Sequence, residues 1–336
     1  QFTATPSSDR FVFAGWKNAD GETVCDDAEY WLAITEPTSL TATWNRVNNF
    51  ETVEIDVPEG TTTKQVAAID ADGNVTKIGE GELVLIGNND FGGTLIISEG
   101  SVRFGDYRDV DGYYFDMDAS DSSTFTYAKD ENGNDTDFVT NVASKVTASH
   151  VLEVQENYVT GDNGKYTLTA KCPTVKTETG VFNGNQVLTS AQFRMNTASS
   201  FLNRNSAVTI FAVARYNSDN GRLMGDWSDM YYGQRFDFRV SNHTIRYFQT
   251  GNVQEESDEK IWVNGEHEGK VSNEPFVFSS TRTMLRDNNG STRNFYLGYG
   301  GDMDWAEMLI YSGVLDDDAR VAIEANLGAK WGIPGY

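Results

Sequence analysis

The sequence predicts an all-β chain that ends in one helix, and three observations support this fold class. Short runs in which every second residue is apolar recur between clusters of Gly, Asn, Asp and Ser along most of the chain. Glycine contributes 31 residues and proline only 6, which suits many turns between strands. Near the end of the chain, apolar residues instead recur at every fourth position, which is typical of one face of a helix.

Composition and charge restrict the partners of the chain. The 336 residues include 26 basic and 50 acidic side chains, which gives a formal net charge of −24. A negative field repels phosphate, so nucleic acid and anionic membranes are not expected as partners. No stretch is apolar over the roughly 18 residues that a spanning helix needs, so membrane insertion is not expected either. A start at Gln1 without Met or a leader segment is expected for a mature or excised piece of a longer protein.

The first predicted segment, residues 1–47, contains the runs FVFAGW at 11–16 and LTATW at 40–44. These runs resemble the F-x-G-W … L-x-A-x-W pattern of the internalin B-repeat type, a small β-grasp-like module of bacterial surface proteins. One copy is present, and its first strand is cut off at Gln1. The resemblance implies a truncated surface repeat.

The second predicted segment, residues 48–111, is rich in glycine. Alternating apolar residues, Leu83, Leu85 and Ile96, lie between glycine-containing turns. This pattern suits a short coil of stacked strands that is not stable alone and must pack against a neighbouring segment. The runs KIGEGELVLIGNNDFGGT at 77–94 and GSVRFG at 100–105 resemble the autotransporter-associated β-strand repeat. Self-association through such surface repeats is one expectation for this region.

The third predicted segment, residues 112–336, holds the clearest strand signals. Residues 235–240 alternate strictly, and Ser241, Asn242 and His243 then mark a turn into a second strand. The pair Asn264-Gly265 favours a tight hairpin turn after residues 260–263. Residues 209–214 are apolar on both faces, which predicts a central strand.

The helix is predicted to begin after Asp316. Its buried stripe consists of Ala319, Ile323, Leu327 and Trp331. Three successive aspartates, starting at Asp316, suit the positive end of a helix dipole. Gly332 and Pro334 then end the helix.

Three short motifs of the last segment belong together in known proteins. They are D-A-S at 118–120, A-E-M-L-I-Y at 306–311 and K-W-G at 330–332. This set is similar to the laminin-G-like, concanavalin-type jelly rolls of bacterial secreted proteins. The resemblance implies a β-sandwich with the C-terminal helix as a cap, and a location outside the cell or on the bacterial cell surface.

The run EIDVPE at 54–59 resembles the E-x-D-x-x-E strand of laminarinase-like glycosidases. It lies far before the predicted sandwich, and Pro58 cannot donate a hydrogen bond within a central strand. We therefore interpret the run as an edge strand that enters a turn at residues 58–60. The three histidines also lie in separate hairpins without a Ser or Cys elbow. Together these observations predict that the chain is not an enzyme.

Carboxylates are the candidate ligands of a structural Ca²⁺ ion. Asp116 with Asp118, and Asp302 with Asp304, each place two carboxylates on one side of a strand. The alternative is that these aspartates are solvated or serve as turn and cap residues.

Aromatic residues mark a candidate ligand surface. Trp227, Asp229, Tyr231 and Tyr232 lie close together in a loop-like stretch, a mixture that suits stacking on sugar rings with hydrogen bonds to hydroxyls. Trp305, close to Asp302 and Asp304, is a further candidate at the loop rim. The alternative is that these aromatic side chains fill the sandwich core.

The sequence therefore predicts a non-catalytic extracellular module of a larger secreted or surface protein. Its expected function is adhesion or recognition, with a glycan or a protein surface as the ligand. One alternative is a structural subunit or stalk of a surface assembly or filament. A less favoured alternative is an accessory binding domain of a glycoside hydrolase.

Overall fold

The computed structural model describes residues 1–5, 11–33, 39–46, 52–71, 73–154, 173–190, 195–197, 207–218, 220–227, 235–250, 260–283, 294–299 and 302–336. The chain divides into two compact units: residues 1–85 with 89–104, and residues 86–88 with 105–336. Strands dominate both, and the described residues contain one α-helix, at the C-terminal end, so the predicted fold class is confirmed. That helix is not long and apolar enough to cross a membrane.

The first unit begins with small antiparallel sheets. Their strands are β1 (Phe2–Thr3), β2 (Phe11–Lys17), β3 (Thr23–Cys25), β4 (Glu29–Tyr30) and β5 (Thr41–Arg46). Strand β2 lies between β3 and β5, and β1 pairs with β4. The rings of Phe2 and Phe13 pack against Trp16 with centroids 6.1 and 5.6 Å apart, and Phe13 also contacts Trp44. The aromatic residues of the F-x-G-W and L-x-A-x-W runs thus form a common core.

The rest of the first unit is a coil of parallel strands. They are β6 (Val53–Asp56), β7 (Thr62–Gln65), β8 (Asp70–Ala71), β9 (Val75–Ile78), β10 (Glu82–Leu85), β11 (Asp90–Phe91), β12 (Leu95–Ile97) and β13 (Ser101–Phe104). The strands stack in the orders β12-β9-β6, β13-β10-β7 and β11-β8. Val53 lies beside Val75, and Val75 beside Leu95, so the chain completes one turn of the coil about every 20 residues. Leu83 and Leu85 are buried inside it.

A buried lysine fixes one corner of this coil. Lys77 is fully buried, and its ammonium donates to the carbonyl oxygen of Glu99 at 2.9 Å and to that of Gly79. Gly100, beside it, has φ +66°, and a Cβ atom there would lie 2.4 Å from the Lys77 Nζ. The K-x-G-x-G pattern therefore joins consecutive turns of the coil through backbone carbonyls.

The run EIDVPE lies at the first turn of the coil. Strand β6 is an edge strand, and the side chain of Glu54 on it is exposed. Glu59 lies beyond the strand in a turn that the amide of Thr61 closes on the carbonyl of Pro58 at 3.1 Å. The glycosidase arrangement requires Glu54 and Glu59 on one strand, whereas here only Glu54 lies on a strand.

The second unit is a β-sandwich. Its strands are β14 (Tyr113–Asp118), β15 (Phe125–Lys129), β16 (Asp135–Ala143), β17 (Val151–Val154), β18 (Thr174–Thr177), β19 (Gln186–Ser190), β20 (Met195–Thr197), β21 (Ala207–Tyr216), β22 (Asn220–Trp227), β23 (Arg235–Ser241), β24 (Thr244–Thr250), β25 (Lys260–Val263), β26 (Glu266–His267), β27 (Phe276–Thr283), β28 (Asn294–Tyr299) and β29 (Met303–Ser312). The larger sheet runs β20-β17-β16-β18-β19-β29-β21-β27-β25-β26, with β14 also on β29 and β15 on β16. The smaller sheet runs β24-β23-β22-β28.

The two sheets share one hydrophobic core. Phe238 of the smaller sheet packs against Phe278 of the larger sheet with centroids 5.0 Å apart. Strand β21 lies between β29 and β27, as its apolar sequence predicts. Nine of the ten residues of β29 are buried. Both faces of this strand are therefore covered, one by the core and the other by the helix.

Helix α1 (Asp317–Trp331) covers the outer face of the larger sheet. The side chain of Asp316 caps it by accepting from the amide of Ala319 at 2.8 Å. Gly332 ends it in the left-handed conformation with φ 66°, which glycine adopts without strain. The predicted stripe of Ala319, Ile323, Leu327 and Trp331 is buried.

Candidate functional site

Charged and aromatic residues collect between the last turn of α1 and the larger sheet. We call this group the subhelix cluster; it consists of Tyr107, Tyr113, Asp116, Asp118, Lys145, Glu307, Tyr311, Lys330 and Trp331. Asp118, Glu307, Tyr311, Lys330 and Trp331 belong to the three motifs that resemble laminin-G-like domains. Their side chains form hydrogen bonds within the cluster, although they lie up to 212 positions apart in sequence.

Strand alternation places the acidic residues of β14 in this cluster. Phe115 and Met117 point into the sandwich core, so Asp116 and Asp118 point to the opposite face, towards α1. Asp118 lies directly across from Glu307 in the β14–β29 ladder. Like charges in that position repel each other unless a cation lies between them. The Lys330 ammonium does so, at 2.9 Å from Asp118 Oδ2 and 2.8 Å from Glu307 Oε2.

Glu307 is the centre of the cluster. Besides Lys330, its carboxylate accepts from the Tyr107 hydroxyl at 2.7 Å and from the Trp331 indole N–H. Burial raises the pKa of Glu307, although the charge of Lys330 acts in the opposite direction. The K-W-G and A-E motifs are thus the two halves of one contact, which fixes the end of α1 to the sheet.

The two aspartates of β14 differ in protonation. Burial, and next the charge of Glu307, raise the pKa of Asp116 to about 7. Burial would raise the pKa of Asp118 as well, but hydrogen bonds from Ser120, Lys330 and Lys145 outweigh it and lower this pKa to about 2. The cluster therefore contains a firmly ionised carboxylate and a second one that titrates near neutrality.

A pair of carboxyl groups with separated pKa values is a resource for acid–base chemistry. In this cluster, however, Asp116 and Glu307 are fully buried, and Asp118 is 3% exposed. A substrate has no access to these carboxyl oxygens while α1 is docked. The arrangement stabilises the position of the helix.

A second ionic group lies on the outer face of the larger sheet. Arg215 donates to Asp304 at 2.9 Å and to Glu178 at 2.7 and 3.2 Å, and Lys176 lies 3.0 Å from Glu178. Bonds from Arg215 and Lys176 lower the pKa of Glu178 to about 2. The group has alternating charges and no excess of either sign, so it is an ion-pair network.

The predicted calcium ligands are occupied by these networks. Asp118 is bound to lysines, Asp116 is enclosed beneath α1, and Asp304 is paired with Arg215, which corrects their prediction as ligands. Asp302 is exposed and precedes β29. Within the described ranges, no group of three or more His, Cys, Asp or Glu side chains could hold a metal ion. A structural Ca²⁺ elsewhere stays a prediction.

Trp227 and Trp305, the two predicted ligand residues that the structure describes, lie in different places. Trp305 is fully buried in the core, because β29 alternates and Trp305 follows the outward-facing Asp304; its prediction as a rim residue is wrong. Trp227 is the last residue of β22, whereas the amide of Asn217, just before that strand, bonds the carbonyl of Asp302. At roughly 3.3 Å per residue, β22 separates Trp227 from Asp302 by about 23 Å.

Three of the predicted residues, Asp229, Tyr231 and Tyr232, lie outside the described residues. The sequence analysis does not identify the basic partners of the two networks, which are Lys145, Lys176, Arg215 and Lys330. For Lys330 a signal was present, because the K-W-G motif itself contains the lysine. For Lys145 and Arg215 no local pattern distinguishes them from surface cations.

Comparisons with known proteins identify similar solved structures only. No family profile and no curated protein matches the chain. An arabinofuranosidase complexed with arabinofuranosyl-α-1,2-xylobiose is 11% identical with a TM-score of 0.41, and the match covers 66% of this chain and 60% of that one. The sialidase of Trypanosoma rangeli is 10% identical with a TM-score of 0.35, covering 65% and 33%.

A third similar structure is domain 4 of AbnA, an extracellular arabinanase of Geobacillus stearothermophilus, in complex with arabinotriose. It is 11% identical with a TM-score of 0.34, and the match covers 63% of this chain and 96% of that domain. The chain spans about 60% of the arabinofuranosidase and a third of the sialidase. At such identities the likeness concerns the fold alone.

This comparison corrects the prediction that the chain is not an enzyme. Two of the similar structures, the arabinofuranosidase and the sialidase, are enzymes. No residue role is transferred from them to this chain.

Proposed function

We propose that the sandwich unit recognises a glycan at the end of the smaller sheet where β22 ends, within a larger secreted or surface protein. The position of Trp227 carries this proposal. Trp227 is the last residue of β22 and lies opposite Asn294, the first residue of β28, at the same end of the sheet. Three further candidate residues follow it closely in sequence: Asp229, Tyr231 and Tyr232. Aromatic rings among amides and carboxylates suit the faces and hydroxyls of sugars.

Part of the surface of the larger sheet is covered and therefore closed to a ligand. Helix α1 and the subhelix cluster occupy the part of the outer face around β27, β21 and β29, and the inner face is core. A ligand of this unit is therefore not expected in the core or on the part of the outer face beneath α1.

A glycan array that includes arabino-oligosaccharides and sialylated glycans tests the proposal on the full chain. For any glycan that binds, Trp227→Ala is expected to weaken binding at least about tenfold, the effect of losing about 1.4 kcal/mol of stacking. Trp31→Ala is the matched control, because Trp31 is 74% exposed and lies in the other unit. Equal binding by Trp227→Ala and the parent chain would contradict the proposal. Release of reducing sugar from the bound glycan distinguishes cleavage from recognition.

A structural role in an assembly is the second candidate, and one observation favours it. The last turn of the coil leaves Ile97 49% and Phe104 76% exposed, although the residues beside them in register, Lys77 and Leu85, are buried. The first unit ends at Phe104, and a second copy stacked on this end would cover the two exposed side chains. Light scattering is expected to detect oligomers that Phe104→Asp abolishes; a monomer at all concentrations would reject this role.

A further inference from the structure

The subhelix cluster encloses unequal numbers of charges. Its carboxyl groups are Asp116, Asp118 and Glu307, and its ammonium groups are Lys145 and Lys330. With every group ionised, three negative charges face two positive charges between α1 and the sheet, and Lys145 is shared with a further carboxylate, that of Asp121, at 3.3 Å. An unbalanced charge away from water is costly, so one proton is needed when the helix is docked.

The surroundings of Asp116 make it the site of that proton. Its Oδ2 accepts from the Tyr113 hydroxyl, and its Oδ1 has no hydrogen-bond partner among the described residues. By contrast, Asp118 and Glu307 each contact Lys330 directly. The carboxyl of Asp116 is fully buried without a cation at hydrogen-bond distance, so it is the group for which ionisation costs most.

Groups from every neighbouring element face this carboxyl. They are Tyr113 and Asp118 from β14, Glu307 and Tyr311 from β29, Lys330 from α1, Tyr107 from the turn before β14, and Lys145 from the segment after β16. The uncharged members do not compensate an ionised Asp116. The charge of Lys330 favours ionisation, but the charges of Glu307 and Asp118 oppose it.

We propose that Asp116 acts as a proton-operated latch: its protonated carboxyl lets the last turn of α1 close on the sheet, and its ionisation admits water beneath that turn and loosens it. Lys330 and Trp331 in that turn contact Glu307, the carboxylate whose charge opposes the ionisation of Asp116. Loosening the turn lets water solvate both charges.

The direction of the pH effect follows from the raised pKa. Burial and the charge of Glu307 raise the pKa of Asp116 from its ordinary 3.8 to about 7. The stabilisation is therefore fully present below the ordinary pKa and is lost as the pH rises through about 7. Docking of α1 is expected to be firm in mildly acidic solution and weaker in mildly alkaline solution.

Native-state hydrogen exchange of the amides at residues 328–331 tests the latch in the full chain. After correction for intrinsic exchange, the opening constant of the parent chain is expected to rise about tenfold between about pH 6 and about pH 8. Asp116→Asn keeps the shape of the protonated acid and is expected to abolish this rise. Asp137→Asn, at an exposed position on β16, is the matched control and is expected to retain it.

Each contrary outcome overturns the latch. An opening constant of the parent chain that does not depend on pH excludes it without any variant. A rise that persists in Asp116→Asn assigns the titration to another group. Failure of Asp116→Asn to fold shows that the neutral side chain does not support docking.

Discussion

Replacement of Glu307 by alanine is the sharpest test of how α1 is held. The substitution removes one fully buried carboxylate from β29 and leaves its donors in place. Those donors are the Tyr107 hydroxyl, the Lys330 ammonium and the Trp331 indole N–H. Lys330 keeps Asp118 as a partner at 2.9 Å, whereas Tyr107 and Trp331 lose the acceptor seen in the structure.

The expected loss of stability can be worked out from these contacts. A buried donor left unsatisfied costs roughly 1–3 kcal/mol, and breaking a buried ion pair costs about 3–5 kcal/mol. Because the contacts overlap, we expect a total of about 5 kcal/mol. For a unit of roughly 230 residues this lowers Tm by about 10 °C.

Differential scanning calorimetry measures this change, with two controls. Glu307→Gln keeps the shape and one acceptor oxygen and is expected to cost less than alanine. Glu266→Ala, at an exposed position on β26, is expected to leave Tm within about 1 °C. If Glu307→Ala lowered Tm no more than Glu266→Ala, the cluster would not hold the helix.

Three further substitutions test other contacts by thermal or urea unfolding. Gly328→Ala is expected to destabilise, because the new Cβ would lie 2.4 Å from both the Cβ atom and the ring of Tyr336; in a Tyr336→Gly background, which lacks both, the same change is expected to be neutral or stabilising, since alanine favours helix. Lys77→Met is expected to cost about 2 kcal/mol in the coil, because two carbonyl oxygens lose their donor; an unchanged midpoint would contradict its role there. Trp305→Phe is expected to cost less than Trp331→Phe, because the Trp305 N–H has no partner among the described residues while that of Trp331 bonds Glu307; the reverse order would count against this reasoning.

Local signals made α1 predictable from the sequence. The cap at Asp316, the buried stripe and the stop at Gly332 all lie within about 17 residues, and each acts through contacts along the chain. The hairpin turns at Asn242-His243 and Asn264-Gly265 were predictable for the same reason, since positive φ values mark them. Such features depend little on what packs against them.

The candidate site was harder to predict because its contacts join distant residues. The sequence places Asp118, Glu307 and Lys330 in three separate motifs. It does not reveal that the Lys330 cation lies between the two carboxylates. Trp305 was misplaced because β29 is covered on both faces, so alternation alone did not reveal which side faces solvent. A residue such as Arg215 acquires its role only when β18, β19, β29 and β21 assemble in one sheet.

The long separation in sequence between the residues of the subhelix cluster has a consequence for folding during synthesis. Asp118 is translated some two hundred codons before Lys330, and β14 pairs with β29, which is also translated late. A nascent chain therefore carries Asp116 and Asp118 without Lys330 until residues 317–331 have been made. Until then the edge of β14 that pairs with β29 stays unpaired, and unpaired strand edges are the kind of surface that chaperones engage.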